Sequence, residues 1–177
     1  MEREIELKIL NIDLKELEKK LIEVGAKYLG EENQINIRIN STAHKIYKKE
    51  GYLRIRISDT NGKITKYLTF KENFSSLNVR DNIEHTITFD DEEELENILR
   101  LMGYDKFSRG EKFRKKYIYN DLKIDLDTWD EATYPYPYAE IEGPDEETIY
   151  KFIKLLEIPK EDISTLSIAE LVKNLKK

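Results

Sequence analysis

The side chains able to do chemistry in this sequence come in pairs of one sign, two residues apart. Glu4 with Glu6, Asp125 with Asp127 and Glu140 with Glu142 are acidic, while Arg54 with Arg56 and Arg114 with Lys116 are basic. A spacing of two puts both members of a pair on the same face of a β-strand. Like charges held side by side repel, and the cost persists unless a counter-charge neutralises them. The carboxylate pairs call for a cation, and their hard oxygens suit Mg²⁺ or Mn²⁺. Only two histidines and no cysteine are present to favour a softer metal. The arginine pairs call for an anion, and guanidinium groups grip phosphate oxygens through paired hydrogen bonds. Acidic and basic pairs facing one enclosed space describe a site for a metal-bound polyphosphate.

Each pair lies within a stretch of strict apolar and polar alternation. Such stretches begin at Glu4, Gln34, Leu53, Leu68, Arg80, Lys112, Leu122 and Glu140, so eight strands are expected. Helices are expected at four places. Asp13 with Glu16 makes a capping box ahead of the apolar stripe Leu14, Leu17, Leu21 and Val24, which stops at Gly25. Asp91 to Met102 repeats the arrangement with Leu95, Ile98 and Leu99 before Gly103. Pro144 and Asp145 open a third helix through Ile149, Phe152, Ile153 and Leu156, and a short fourth starts near Ser167. Amphipathic helices need an apolar surface, so they are expected to cover the apolar strand faces and leave the charged faces together. A shift of 78 positions lays Glu6 on Glu84, Leu17 on Leu95, Leu21 on Leu99 and Gly25 on Gly103, which reads as two similar halves. Two such halves closing around one axis make an α+β fold: an eight-stranded antiparallel β-barrel with helices outside and a charged interior.

The 177 residues, 21.1 kDa, are expected to form one domain, residues 1–177. Acidic residues number 36 and basic ones 30, giving a net charge of −6 and a pI near 5.2. That balance argues against a nucleic-acid partner, which normally requires a basic stripe. The absence of cysteine excludes disulfides, thiolate metal sites and cysteine nucleophiles. No apolar run approaches the ~18 residues of a membrane span, and no signal peptide is read at Met1-Glu2-Arg3, so a cytoplasmic protein is expected.

Glu4-Ile5-Glu6-Leu7-Lys8 matches an E-x-E-x-K signature at the start of the chain. In order follow Leu53-Arg54-Ile55-Arg56, Leu68-Thr69-Phe70-Lys71, Arg80 to Glu84, Lys112-Phe113-Arg114, Ile124 to Asp127, Glu140-Ile141-Glu142-Gly143 and a Ser-x-x-Glu-Leu segment at Ser167 to Leu171. This series resembles the CYTH superfamily, also called triphosphate tunnel metalloenzymes. The resemblance implies a closed eight-stranded tunnel that binds a small-molecule triphosphate with Mg²⁺ or Mn²⁺. It implies metal ligation by Glu4, Glu6, Asp127, Glu140 and Glu142. It implies phosphate binding by Lys8, Arg54, Arg56, Lys71, Arg80 and Arg114, with Glu84 holding a basic group and Lys116 and Asp125 on the same face in support. Lys8 is the expected catalytic residue, helping to activate water as a lysine crowded by cations.

The reaction implied is metal-dependent hydrolysis of tripolyphosphate, thiamine triphosphate or a nucleoside triphosphate by a monomer or homodimer. The alternatives are a class IV adenylyl cyclase, a non-catalytic polyphosphate binder and a purely structural barrel. The cyclases tend to carry a His-Phe pair before the first strand, and only Met1, Glu2 and Arg3 precede the signature here. The family's Gln-x-Asp-x-Tyr reads Gln34-Ile35-Asn36-Ile37-Arg38 in this chain, which adds an inward cation at Arg38, expected to pair with a carboxylate. Trp129 to Tyr138, with Tyr134-Pro135-Tyr136-Pro137-Tyr138, is expected to be a stiff connection packed on the barrel, the alternative being a stacking platform at the tunnel mouth. His44 and His85 carry no expected role, His85 pointing outward.

Overall fold

The computed structural model describes residues 1–43, 51–74 and 78–175. The strands are β1 (Glu2–Ile9), β2 (Lys27–Asn40), β3 (Gly51–Thr60), β4 (Lys63–Phe74), β5 (Arg80–Thr88), β6 (Lys106–Tyr119), β7 (Leu122–Trp129), β8 (Tyr138–Gly143) and the two-residue β9 (Ile163–Ser164). The helices are α1 (Leu14–Glu23), α2 (Glu92–Leu101), α3 (Glu146–Leu155) and α4 (Ile168–Leu175). The order strand, helix, three strands therefore occurs twice, β1 to β4 and β5 to β8. Every pairing is antiparallel, in the order β5-β4-β3-β2-β6-β7-β8-β1, and β1 returns to pair with β5. The barrel is thus closed with eight strands, as expected. β1 uses one edge twice, meeting β5 at Glu2 to Glu6 and β9 at Lys8 and Ile9.

All four expected helices form, and the first three start where their caps were read. The Asp13, Asp91 and Asp145 carboxylates accept backbone N–H groups of the first turns of α1, α2 and α3. Gly25 and Gly103 follow α1 and α2 with φ of +89° and +93°, a conformation that carries no Cβ penalty only in glycine. Among the described residues no helix is long and apolar enough to cross a membrane.

The apolar strand faces point outward. Leu7, Ile9, Ile124, Leu126 and Ile141 pack beneath α1 and α3 against Leu17, Leu21, Ile149, Phe152 and Ile153. Ile37, Ile39, Leu53 and Ile55 pack beneath α2 against Leu99 and Leu95. A third cluster joins Leu171 of α4 to Tyr134, Tyr138, Trp129 and Leu10. With the hydrophobic core outside the barrel wall, the alternate polar side chains have nowhere to go but the lumen.

Candidate functional site: a charged lumen

Strand parity selects the inward side chains, and the register sorts them into tiers along the barrel axis. One mouth carries Glu2, Glu32, Ser58, Lys116 and Lys123. The next tier holds Glu4, Glu84, Glu142, Asp125, Arg56 and Arg114. Deeper lie Glu6, Glu140, Asp127, Lys112, Arg54 and Lys71. The far tier holds Lys8, Arg38, Arg80, Tyr52, Trp129 and Tyr138, with α4 packed against its Trp129 and Tyr138 side. Every site residue named from the sequence is inward-facing, with Lys116 nearest the open mouth.

The carboxylates gather round two cations. Lys71 meets Glu4, Glu6 (3.6 Å) and Glu84 (3.2 Å). Burial alone would favour its neutral amine, but these carboxylates hold Lys71 charged, with its pKa raised. Arg114 meets Asp125, Asp127 (2.6 Å) and Glu140 (2.8 Å). Asp127, fully buried, overcomes its burial through Arg114 and Lys112 and stays ionised, its pKa lowered. Asp125 fares differently: burial, together with repulsion from Asp127 and Glu140, outweighs Arg114 and pushes its carboxyl up to about 6. At the mouth, Glu142 takes Lys123 at 2.9 Å and Glu32 takes Lys116 at 2.8 Å.

Lys8 is buried with its ammonium 3.1 Å from Glu140. The crowding by cations expected around Lys8 is found instead at Lys112. Burial, and then repulsion from Arg114 and Arg56, brings the Lys112 amine down to about 8, although Asp127 lies 2.9 Å away. Lys112 was legible as an inward residue from the alternation Lys112, Arg114, Lys116, but its depth was not. Arg38 lies 5.0 Å from the centre of the Tyr52 ring, a cation–aromatic contact that the sequence did not suggest.

The arginines of β3, with Arg80 of β5, are less completely satisfied. Arg54 Nε and Nη2, Arg56 Nε and Arg80 Nε are all buried with no hydrogen-bond partner. The Glu84 carboxylate approaches Arg54 only to 3.6 Å, and Glu6 approaches Arg80 only to 3.5 Å, ion-pair distances without a hydrogen bond. Burial, with repulsion from Arg54 and Arg114, lowers the Arg56 pKa to about 10. Buried N–H groups of this kind are rare in finished protein interiors, and each represents a desolvated donor aimed at an acceptor.

The donor set also fits a hard divalent cation. Glu6 stands directly opposite Glu142 across β1 and β8, an arrangement of like charges that a cation relieves. Burial raises the Glu4 pKa, with Glu84 and Glu6 adding repulsion against Lys71. Among the described residues no group of three or more His, Asp or Glu side chains stands arranged round a metal position, because the inner carboxylates are turned toward lysines and arginines.

At the far end of the lumen, Tyr134 and Tyr138 are buried, and the Trp129 Nε1 group donates to the Tyr138 hydroxyl at 2.8 Å, so the Tyr-Pro segment packs as a stiff connection. His85 points outward beside Glu72 at 3.0 Å, and His44 lies outside the described residues.

Comparison with known structures places the whole architecture. The PH1819 protein from Pyrococcus horikoshii matches with a TM-score of 0.80 and 24% identity, over 97% of this chain and 99% of its own. A Vibrio parahaemolyticus protein provisionally named an adenylate cyclase matches with a TM-score of 0.72 and 16% identity, over 96% of this chain and 97% of its own. HpAC1 from Hippeastrum, provisionally named an adenylyl cyclase and described as having a dominant triphosphatase activity, matches with a TM-score of 0.68 and 18% identity, over 98% of this chain and 96% of its own. No curated protein matches the sequence. The family model of the CYTH domain matches residues 2–166, nearly the full length, and the chain belongs to the CYTH domain family.

Proposed function

We propose that this protein hydrolyses a triphosphate bound in its lumen, with Mg²⁺ or Mn²⁺ held by carboxylates drawn from Glu4, Glu6, Asp127, Glu140 and Glu142. The observation that carries the reading is the set of buried arginine nitrogens on β3 and β5 with no hydrogen-bond partner. Four desolvated donors in one lumen are costly without a ligand and are answered by an anion with many oxygens. When bound, the divalent cation would supply charge neutralisation between the carboxylates and the phosphate oxygens.

The chain's own residues do the rest. Arg54, Arg56, Arg80 and Arg114 donate to the phosphate oxygens and hold the chain of phosphates in one orientation. Their charge is fixed before the reaction, so it opposes the charge that spreads over the transferred phosphoryl group without reorganisation. Lys71 and Lys8 add ammonium donors, and Glu84 keeps Lys71 and Arg54 in place. Lys8, seated against Glu140, orients the attacking water. Water attacks the terminal phosphorus, the bridging P–O bond breaks, and orthophosphate leaves with the shortened chain. The triphosphatase activity described for HpAC1, a protein of the same fold, agrees with this reaction.

The test is incubation with Mg²⁺ or Mn²⁺ and, separately, tripolyphosphate, thiamine triphosphate and ATP. Orthophosphate is the expected product. Cyclic AMP with equimolar pyrophosphate from ATP would replace the proposal with cyclase chemistry. Tight binding without turnover would make the protein a polyphosphate binder.

A further inference from the structure

Among the described residues three aromatic rings face the far tier of the lumen, and each has a cation near its face. Lys8 lies 6.0 Å from the Tyr138 ring centre and Lys112 5.4 Å from Trp129, while Arg38 and Arg54 lie 5.0 Å and 5.9 Å from Tyr52. Lys8 and Lys112 also have carboxylates, Glu140 at 3.1 Å and Asp127 at 2.9 Å. The Tyr52 group is built differently. The register of β2 on β3 sets Arg38 directly opposite Arg54, both inward, a like-charge pair that repels. Both guanidinium groups rest against one ring, and an aromatic face steadies a guanidinium without consuming its N–H donors. Arg54 accordingly keeps Nε and Nη2 buried and unbonded.

Successive inward positions on β3 are Arg56, Arg54 and Tyr52, each about 6.6 Å along the strand from the last. From β2, Arg38 supplies a cation one tier beyond Arg54, so the row of guanidinium groups extends past the point where Arg56 and Arg54 end. We infer that Arg38, Arg54 and Tyr52 form an additional phosphate subsite, and that the tunnel's preferred ligand is a linear inorganic polyphosphate of at least four phosphates. This rests on the proposed triphosphate reading and goes beyond it by naming the chain length. Tyr52 acts as a positioning residue: its ring already carries two guanidinium groups, which makes this end of the lumen suited to a further phosphate and not to a stacked base.

The experiment is calorimetric titration of tripolyphosphate and tetrapolyphosphate at fixed Mg²⁺ and ionic strength, with folding of each variant checked by circular dichroism. The wild type is expected to bind tetrapolyphosphate at least tenfold more tightly than tripolyphosphate. Arg38→Gln is expected to bring that ratio within threefold while tripolyphosphate affinity changes less than threefold. Tyr52→Leu also loses the preference, and Tyr52→Phe, which keeps the ring, retains it. Lys151→Gln on the outside of α3, with the same change in net charge, retains it as well. Equal affinities for the two polyphosphates in the wild type, or an unchanged ratio in Arg38→Gln, would overturn the subsite while leaving the triphosphate reading standing. If neither polyphosphate binds the wild type, both fall together.

Discussion

Replacing Arg56 with methionine should stabilise the ligand-free protein while destroying its function. Arg56 is an inward guanidinium whose Nε is buried without a partner and whose pKa is lowered from 12.5 to about 10, by burial first and then by Arg54 and Arg114. A depression of that size corresponds to about 3 kcal/mol of cost for the charged form, at about 1.36 kcal/mol per tenfold change in proton affinity. The guanidinium is charged at every pH below about 10, so at pH 7 the folded protein carries the whole cost and the unfolded chain none. Methionine is of similar length, uncharged and adaptable, and removes the cost without opening a cavity. Allowing up to half for relaxation of the lumen leaves a gain of about 2 to 3 kcal/mol, or a rise in Tm of about 4 to 12 °C for a chain of this length. Thermal unfolding with and without tripolyphosphate and Mg²⁺ measures both sides of the trade. The ligand should raise the wild-type Tm, by about 2.7 kcal/mol of linkage at a hundredfold excess over Kd, and leave the variant nearly unmoved. A ligand-free Arg56→Met protein that melts at or below the wild-type temperature would show that the guanidinium is already satisfied, and the argument for an anion site on β3 would fail.

Glu32→Gln should cost about 2 kcal/mol, because the amide loses the negative charge and one of the two oxygens that accept from Lys116 at 2.8 Å and from the Ser58 hydroxyl. The wild-type Glu32 carboxyl is lowered from 4.5 to about 2, Lys116 and Ser58 outweighing burial, so its contribution is full above pH 4.5 and lost as pH falls toward 2. Urea midpoints across that range should converge between wild type and variant at the acid end. Asp125→Asn should do the opposite. The Asp125 carboxyl is raised from 3.8 to about 6, so its contribution is full below about pH 3.8 and lost as pH rises through 6. The variant should therefore gain on the wild type between pH 4 and 7, by up to about 3 kcal/mol, and parallel urea midpoints over that interval would refute the crowding assigned to it. Lys8→Met should lower kcat by a hundredfold or more with the Kd for tripolyphosphate changed less than tenfold. Equal losses in both would reduce Lys8 to an electrostatic grip.

Much of this was legible because an antiparallel barrel has a period of two, and period and charge sign together assign a face. Glu4, Glu6 and Lys8 alternate with Ile5, Leu7 and Ile9, and no barrel closure can separate those three from the lumen. What alternation omits is register. Lys71 reaches Glu4 and Glu6 only because β1 closes onto β5, and Lys112 reaches Asp127 only because β6 and β7 slide to set Arg114 opposite Asp127. Pairings of that kind depend on strand length and stagger, which one-dimensional patterning does not carry. The first half of β2 escaped for a related reason: Gly30, with φ of +129°, sits at a break in register against β6, and Glu31, Glu32 and Asn33 interrupt the alternation there. β9 has two residues and no pattern at all.

The lumen's charge is unevenly settled, and the unevenness says where a polyanion lies. Carboxylates from β1, β5, β7 and β8 converge on Lys71 and Arg114, whose buried charges are thereby compensated within the protein. The arginines of β3 are inward, desolvated and short of acceptors. A ligand that bonded Lys71 or Arg114 would have to displace charge-assisted contacts worth about 1.5 to 3 kcal/mol each, whereas one laid along β3 gains new bonds and relieves an existing cost. The second term has no opposing sacrifice, so the phosphate chain should lie along β3, with Lys71 and Arg114 donating to it only as the cation takes over their carboxylates. The net charge of −6 is then no obstacle to binding an anion, because it reports the outer surface together with the lumen, while affinity is set by the few guanidinium groups that the fold leaves short of hydrogen-bond acceptors.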